Sequence, residues 1–213
     1  MKTLLMACAG AAVLAGSIAP AAMAGQGDWM FRLRALHVAP DEGATISPIG
    51  GSVDIGTSVV PELDITYFFT DRIAVELILG VTPHDVRAVN TSLGDVDLGD
   101  VWLLPPTLTL QYHFNPEGQL RPYVGAGVNF THFFNADLPS SSPLTSISYD
   151  NSIGFALQAG VDYALSERWF LNFDVKKVWI NTDVTIDAGA LGIVNADVDI
   201  DPWIVGIGFG WRY

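Results

Sequence analysis

Trp203-Ile204-Val205-Gly206-Ile207-Gly208-Phe209-Gly210-Trp211-Arg212-Tyr213 closes the chain, and its reading governs the rest. Successive side chains of a strand point to opposite faces. Trp203, Val205, Ile207, Phe209, Trp211 and Tyr213 therefore share one bulky apolar face, and Ile204, three glycines and Arg212 share the other. A stripe of this length matches the ~9 to 11 residues with which a tilted strand crosses a bilayer. The glycine face suits a crowded barrel interior, while the aromatic face is too wide for a small lumen, so the aromatic stripe is read as facing lipid.

The other end of the chain supplies an address. Met1 and Lys2 precede an apolar run from Leu4 to Val13, and Ala22-Met23-Ala24 is a small-x-small cleavage signal. These features predict a secretory signal peptide over residues 1–24 and a single barrel domain over 25–213. The apolar run is too short and too rich in Gly and Ala to read as a membrane anchor. Cys8 is the sole cysteine, so the exported chain is expected to form neither an intramolecular disulfide nor a Cys-ligated metal site. The net charge of −13 argues against a nucleic-acid partner. Half of the residues are hydrophobic, yet beyond the leader no apolar run is long enough for a spanning helix. The hydrophobicity is spread along alternating strands instead.

Eight such segments follow one another. Their outward positions run over Trp29 to Ala35, Leu63 to Phe69, Ile73 to Val81, Trp102 to Phe114, Val124 to Phe130, Ile153 to Tyr163, Trp169 to Val175 and the closing Trp203 to Tyr213. Connections alternate in length. Thr70-Asp71-Arg72, the stretch from Asn115 to Leu120 and Ser166-Glu167-Arg168 are short, whereas those near 40–52, 84–98, 135–149 and 181–197 are long, and acids such as Asp41, Glu42, Asp95, Asp97, Asp183, Asp187 and Asp197 in them suggest solvated loops. This predicts an all-β fold: an eight-stranded antiparallel transmembrane β-barrel with short periplasmic turns and four longer external loops. The implied location is a bacterial outer membrane, with lipid and lipopolysaccharide around the barrel. The C-terminal aromatic, Tyr213, is the expected handle for the outer-membrane assembly machinery.

The inward positions carry the more specific chemistry. The first segment points Arg32 and Arg34 inside, and its antiparallel neighbour points Glu62 and Asp64 inside at similar depth; Glu76, Gln158, Asp162, Asn172, Asp174 and Lys176 join them. Charges in so narrow a lumen are costly unless paired and hydrogen-bonded, so a polar plug fills the lower barrel in this reading and an open pore is disfavoured. Above it, Leu36, Val38, Ile78 and Leu103, with Lys176, are the expected channel lining. Pro61, Pro83, Pro105 and Pro106 fall toward the external half of one wall. Each removes a backbone donor, so the strands either part there and open the lumen sideways to lipid, or merely bend.

Catalysis finds little support. His37, His84, His113 and His132 are the candidate bases. His37 and His132 face outward near an interface, His113 faces inward near the periplasmic end, and His84 begins a loop next to Asp85. No serine is placed beside His113 with an acid to orient it, and the histidines do not converge as metal ligands. No enzyme, cofactor or metal site is expected.

Several stretches resemble one family closely. These are Leu104-Pro105-Pro106-Thr107-Leu108, the run from Arg121 to Thr131, Gly160-Val161-Asp162-Tyr163, Asp201-Pro202-Trp203 and Gly210-Trp211-Arg212-Tyr213. Together they resemble the OmpW family of outer-membrane proteins, which includes the AlkL type. The resemblance implies an eight-stranded barrel with a hydrophobic channel or lateral exit, associated with uptake of small hydrophobic molecules. Two departures are visible. One extra residue separates Val75-Glu76-Leu77 from Thr82-Pro83, and Lys176 stands at an inward position that can be aromatic in the family, leaving Ile78 as only one side of an apolar gate. The expected function is passive uptake of small hydrophobic molecules by lateral exit from the upper lumen into the membrane. The alternative is a structural or surface-interaction barrel of the OmpA or OmpX kind, acting through its external loops.

Overall fold

A computed structural model describes residues 25–140, 142, 144–189 and 192–213. The signal peptide expected over residues 1–24 lies outside them. In chain order the strands are β1 (Trp29–Ala39), β2 (Gly43–Ser47), β3 (Ser52–Ile55), β4 (Ser58–Phe68), β5 (Ile73–Gly80), β6 (Thr82–Thr91), β7 (Gly94–Leu104), β8 (Thr107–His113), β9 (Leu120–Asp137), β10 (Ser146–Tyr149), β11 (Ser152–Ala164), β12 (Trp169–Val178), β13 (Asn181–Asp187), β14 (Ile193–Asp199) and β15 (Trp203–Arg212).

Eight of these close an antiparallel barrel in the order β1, β4, β5, β8, β9, β11, β12, β15 and back to β1. The closing ladder runs from Met30 opposite Arg212 to Ala39 opposite Trp203. Closure leaves the barrel no free edge, which lets its backbone polar groups lie within hydrocarbon. The period-two pattern fixes the register, because a one-residue slip would turn every lipid-facing side chain inward. Phe209 and Ile207 are exposed outward, while Arg32 and Arg34 are buried inward. The glycine face of β15 sits where interior space is shortest. A Cβ at Gly210 would overlap the Phe170 ring, and one at Gly208 would overlap the Leu33 carbonyl and the backbone of Arg34. Near the short turns, Trp29, Tyr67 and Phe69 form one arc of an aromatic belt, with ring centroids 4.9 and 5.1 Å apart. Such belts settle at the headgroup level.

Two features differ from the sequence reading. The long connections are not open loops but strands. β3, β6, β7 and the upper end of β9 form one sheet continuous with the barrel, and β2, β14, β13 and β10 form a second. Their alternation is the inverse of that of the barrel: Val184, Ile186, Val194, Ala196 and Val198 are buried between the sheets while Asp183, Asp197 and Asp199 face out. Outside the bilayer the solvent is water, so the apolar face turns inward. The acids that suggested solvated loops are the outer faces of these strands. Second, the outward run from Trp102 to Phe114 is two strands, β7 and β8, divided at Pro105 and Pro106.

Candidate functional site

The lower barrel is filled by an ionic layer. Strand register sets Arg32 opposite Asp64 and Arg34 opposite Glu62, and the pairs close from there. Arg32 lies 3.2 Å from Asp64, 3.1 Å from Glu76 and 2.9 Å from Asp162. Arg34 lies 2.7 Å from both Glu62 and Asp64 and 3.5 Å from Asp174. Lys176 lies 2.9 Å from both Glu62 and Asp174. Neutral groups knit the layer together. The Tyr123 hydroxyl donates to Asp174, the Asn172 amide donates to Asp162, and Gln158 donates to Asp174. The Arg32 guanidinium also sits 5.0 Å over the Tyr123 ring. All six residues expected in the plug belong to this one layer. Tyr123 was missed because an aromatic on the inward face of a glycine-rich strand reads as filler.

Above the layer lie two stacked cavities. The lower, about 40 Å³, has walls of Leu36, Val38, Val60, Ile78 and Leu103, with Glu62, Lys176, Thr107 and Asn129 at its polar end. The five residues expected along the channel, Leu36, Val38, Ile78, Leu103 and Lys176, all contact it. The upper cavity, about 230 Å³, lies between the two external sheets and is lined almost wholly by apolar groups, among them Val53, Ile55, Val86, Phe133, Val184 and Val198. Phe133 and Tyr149 stack there with centroids 5.5 Å apart, and burial pushes the Tyr149 hydroxyl above the usual tyrosine range. His84, Leu103 and Ile200 line both cavities and form the neck between them.

His84 is therefore placed differently from the sequence reading. It lies inside strand β6, above the barrel ladder, and is 4% exposed. Its Nδ1 is 2.7 Å from the Gly56 carbonyl. Burial lowers its pKa from the ordinary histidine range, partly offset by that carbonyl. The upper cavity as a whole escaped the sequence reading, although the alternating valines of 182–200 carry its signal.

Beside the lower cavity the wall loses its ladder. The β4–β5 pairing ends at Glu62 opposite Gly80, and the β5–β8 pairing ends at Ile78 opposite Thr107. Pairing resumes only higher up, where Thr82 of β6 faces Leu103 of β7. Pro105 and Pro106 lie in this interval, and Gly80 and Pro105 both line the lower cavity. Pro61 sits on β4 just above the last β4–β5 pair, and Pro83 on β6 accepts a bond at its carbonyl from Ser58. Proline lacks the N–H a ladder needs, so the interruption is written in the sequence.

Lys177, His132 and His113 lie away from the cavities. Lys177 reaches Asp41 at 3.1 Å and covers the Trp203 ring at 5.2 Å, and His132 stacks on Phe134. His113 bonds Gln111 below the plug. Among the described residues no group of acids, histidines or cysteines is arranged to hold a metal ion.

The sequence profile of the OmpW family matches residues 25–213. The chain belongs to the OmpW family. It is 34% identical over 213 residues to outer membrane protein W of Vibrio cholerae, covering 96% of this chain and 97% of that protein. The dibenzothiophene metabolism operon protein PahQ of Pseudomonas aeruginosa is 30% identical, covering 87% of this chain and 88% of its own length. Among solved structures, the outer membrane protein OprG of Pseudomonas aeruginosa superposes with a TM-score of 0.83 at 32% identity, covering 91% of this chain and 98% of that one. AlkL in lipid bilayers superposes with a TM-score of 0.69 at 28% identity, covering 94% and 97%. This OmpW-family chain is thus a multi-pass outer-membrane barrel, in contact with the lipid around it.

Proposed function

We propose that the protein is a passive conduit for small apolar molecules, which enter between the external sheets, occupy the upper cavity, descend through the neck and leave sideways into the membrane. The observation that carries this reading is that the apolar path ends on a buried ionic layer, while beside that end the strand ladder lapses at Pro105 and Pro106. An apolar molecule crossing the plug would have to separate buried ion pairs, each costing several kcal/mol, on the order of the loss when one partner is removed. Slipping between unpaired strands into lipid carries no such desolvation cost.

Size supports the same reading. An apolar cavity of about 150 Å³ holds benzene, so a cavity of about 230 Å³ suits a bicyclic arene or a hydrocarbon of similar bulk. The name of PahQ, which places it in an operon for dibenzothiophene metabolism, and the uptake role implied by the family agree with such a cargo. The surface-interaction alternative draws on open external loops, and these are folded into sheets around an apolar interior. Lipopolysaccharide around the barrel and recognition of Tyr213 by the assembly machinery belong to the same proposal.

The test is uptake of a fluorescent hydrophobic probe by cells lacking the native protein and carrying wild type or Pro105→Val/Pro106→Thr. Restored pairing across the interval should slow uptake while barrel folding, followed by heat-dependent electrophoretic mobility, is unchanged. Equal uptake by wild type, this variant and cells without the protein overturns the conduit reading.

A further inference from the structure

The polar side chains on the cavity walls fall into two groups. Most are satisfied within the protein. Thr107 donates to the Pro105 carbonyl, Asn129 donates to Pro105 and Thr107, Thr182 donates to the Asp150 carbonyl, and Glu62 and Lys176 pair with each other. Thr82 and His84 at the lower cavity, and Tyr149 in the upper one, differ. Neither the Thr82 hydroxyl nor His84 Nε2 has a hydrogen-bond partner among the described residues. The two residues are 7% and 4% exposed. Two apart on β6, they point to the same inward face and line the lower cavity together, with His84 also reaching the upper one.

The chemistry of this pair is directional. His84 Nδ1 faces the Gly56 carbonyl at 2.7 Å, so it carries the hydrogen, and in the neutral ring Nε2 is left as an acceptor. Burial keeps the ring neutral near pH 7 by lowering its pKa. The Thr82 hydroxyl both donates and accepts. A purely apolar guest leaves both groups dry and unpaired, whereas a guest hydroxyl donates to Nε2 and accepts from Thr82. A carboxylate meets the Nε2 lone pair, and the Lys176 ammonium at the polar end is already held between Glu62 and Asp174; an ammonium guest would be stripped of water among the apolar walls at high cost.

We propose that Thr82 and His84 form a hydroxyl-binding subsite at the neck, making this conduit selective for apolar molecules that carry one neutral hydroxyl, such as a phenol or a fused-ring arenol. The inference rests on the conduit reading: the hydrocarbon body occupies the upper cavity and the hydroxyl is held at the constriction. Thr82 and His84 are then specificity-determining residues.

The experiment is a fluorescence titration of the full barrel in lipid nanodiscs with naphthalene and 2-naphthol, corrected by empty discs for partition into lipid. One net hydrogen bond corresponds to a preference of about three- to tenfold, so wild type should bind 2-naphthol tighter than naphthalene by that factor. Thr82→Val, which keeps the shape, and His84→Leu should each reduce that preference, and the double variant should bring 2-naphthol to the level of naphthalene, without weakening naphthalene. An unchanged ratio in both variants, with naphthalene still bound, overturns the subsite and leaves the conduit standing. Failure of wild type to bind either probe above empty discs overturns the conduit, and the subsite with it.

Discussion

Removing Arg34 from the plug should be among the most destabilising single changes in the barrel. Its side chain is fully buried, 2.7 Å from both Glu62 and Asp64 and within 3.5 Å of Glu76 and Asp174. In Arg34→Ala, Glu62 retains only Lys176, and Asp64 retains only Arg32. Truncating one member of such a buried set costs about 3 to 5 kcal/mol, because the partners stay behind as uncompensated charge. Asp64→Ala should cost less. Glu62, Asp64, Glu76, Asp162 and Asp174 outnumber Arg32, Arg34 and Lys176, and Arg34 keeps Glu62 when Asp64 is gone. The double variant should fall short of the sum by roughly 1 to 3 kcal/mol, the coupling expected of residues in one network. Reversible urea unfolding from lipid vesicles, followed by tryptophan fluorescence, measures all three. Additivity within about 0.5 kcal/mol would refute the reasoning, since it would mean that the two groups do not interact.

Gly208→Ala should lower stability by about 1 to 3 kcal/mol through overpacking, because its methyl would meet the Leu33 carbonyl and the backbone of Arg34; an unchanged urea midpoint would contradict this packing. The preference for 2-naphthol should depend on pH in one direction. The pKa of His84 is lowered in the folded protein, so the neutral ring contributes stability above the unfolded value of about 6.5, and that contribution is lost as pH falls from there through the folded value. Titration should find the naphthol preference intact at pH 6.5 and reduced only at more acid pH, and a preference that strengthens on acidification would be the wrong sign.

The barrel was legible because hydrocarbon imposes a strict rule. Lipid accepts only apolar side chains and demands closure of every ladder, so Ile207, Phe209 and Trp211 declare their face without knowledge of any neighbour. The plug was legible for a related reason. In a two-strand register, parity places Arg32 and Arg34 at the depth of Asp64 and Glu62, and charge does the rest. The external sheets were harder to read. Asp197 and Asp199 mark a solvated surface equally well on a loop or on a strand, and only the alternation with Ala196 and Val198 distinguishes the two. His84 illustrates a further gap. Its place at the neck depends on β6 pairing with β7, which sets it opposite Val101, and on Ile200, distant in sequence, lining the same two cavities. The proline positions could be read directly, whereas the ladder they interrupt required the pairing of β5 with β8.

The most direct measurement of the route uses proteoliposomes with lipopolysaccharide in the outer leaflet and a bilayer-confined energy-transfer acceptor. Entry of naphthalene into the bilayer and efflux of entrapped glucose are followed on the same vesicles. Lateral exit above a closed plug predicts that the protein accelerates energy transfer from naphthalene to the acceptor, that Pro105→Val/Pro106→Thr removes the acceleration, and that glucose stays inside. Glucose efflux in proportion to the protein, or acceleration undiminished in the proline variant, would contradict it.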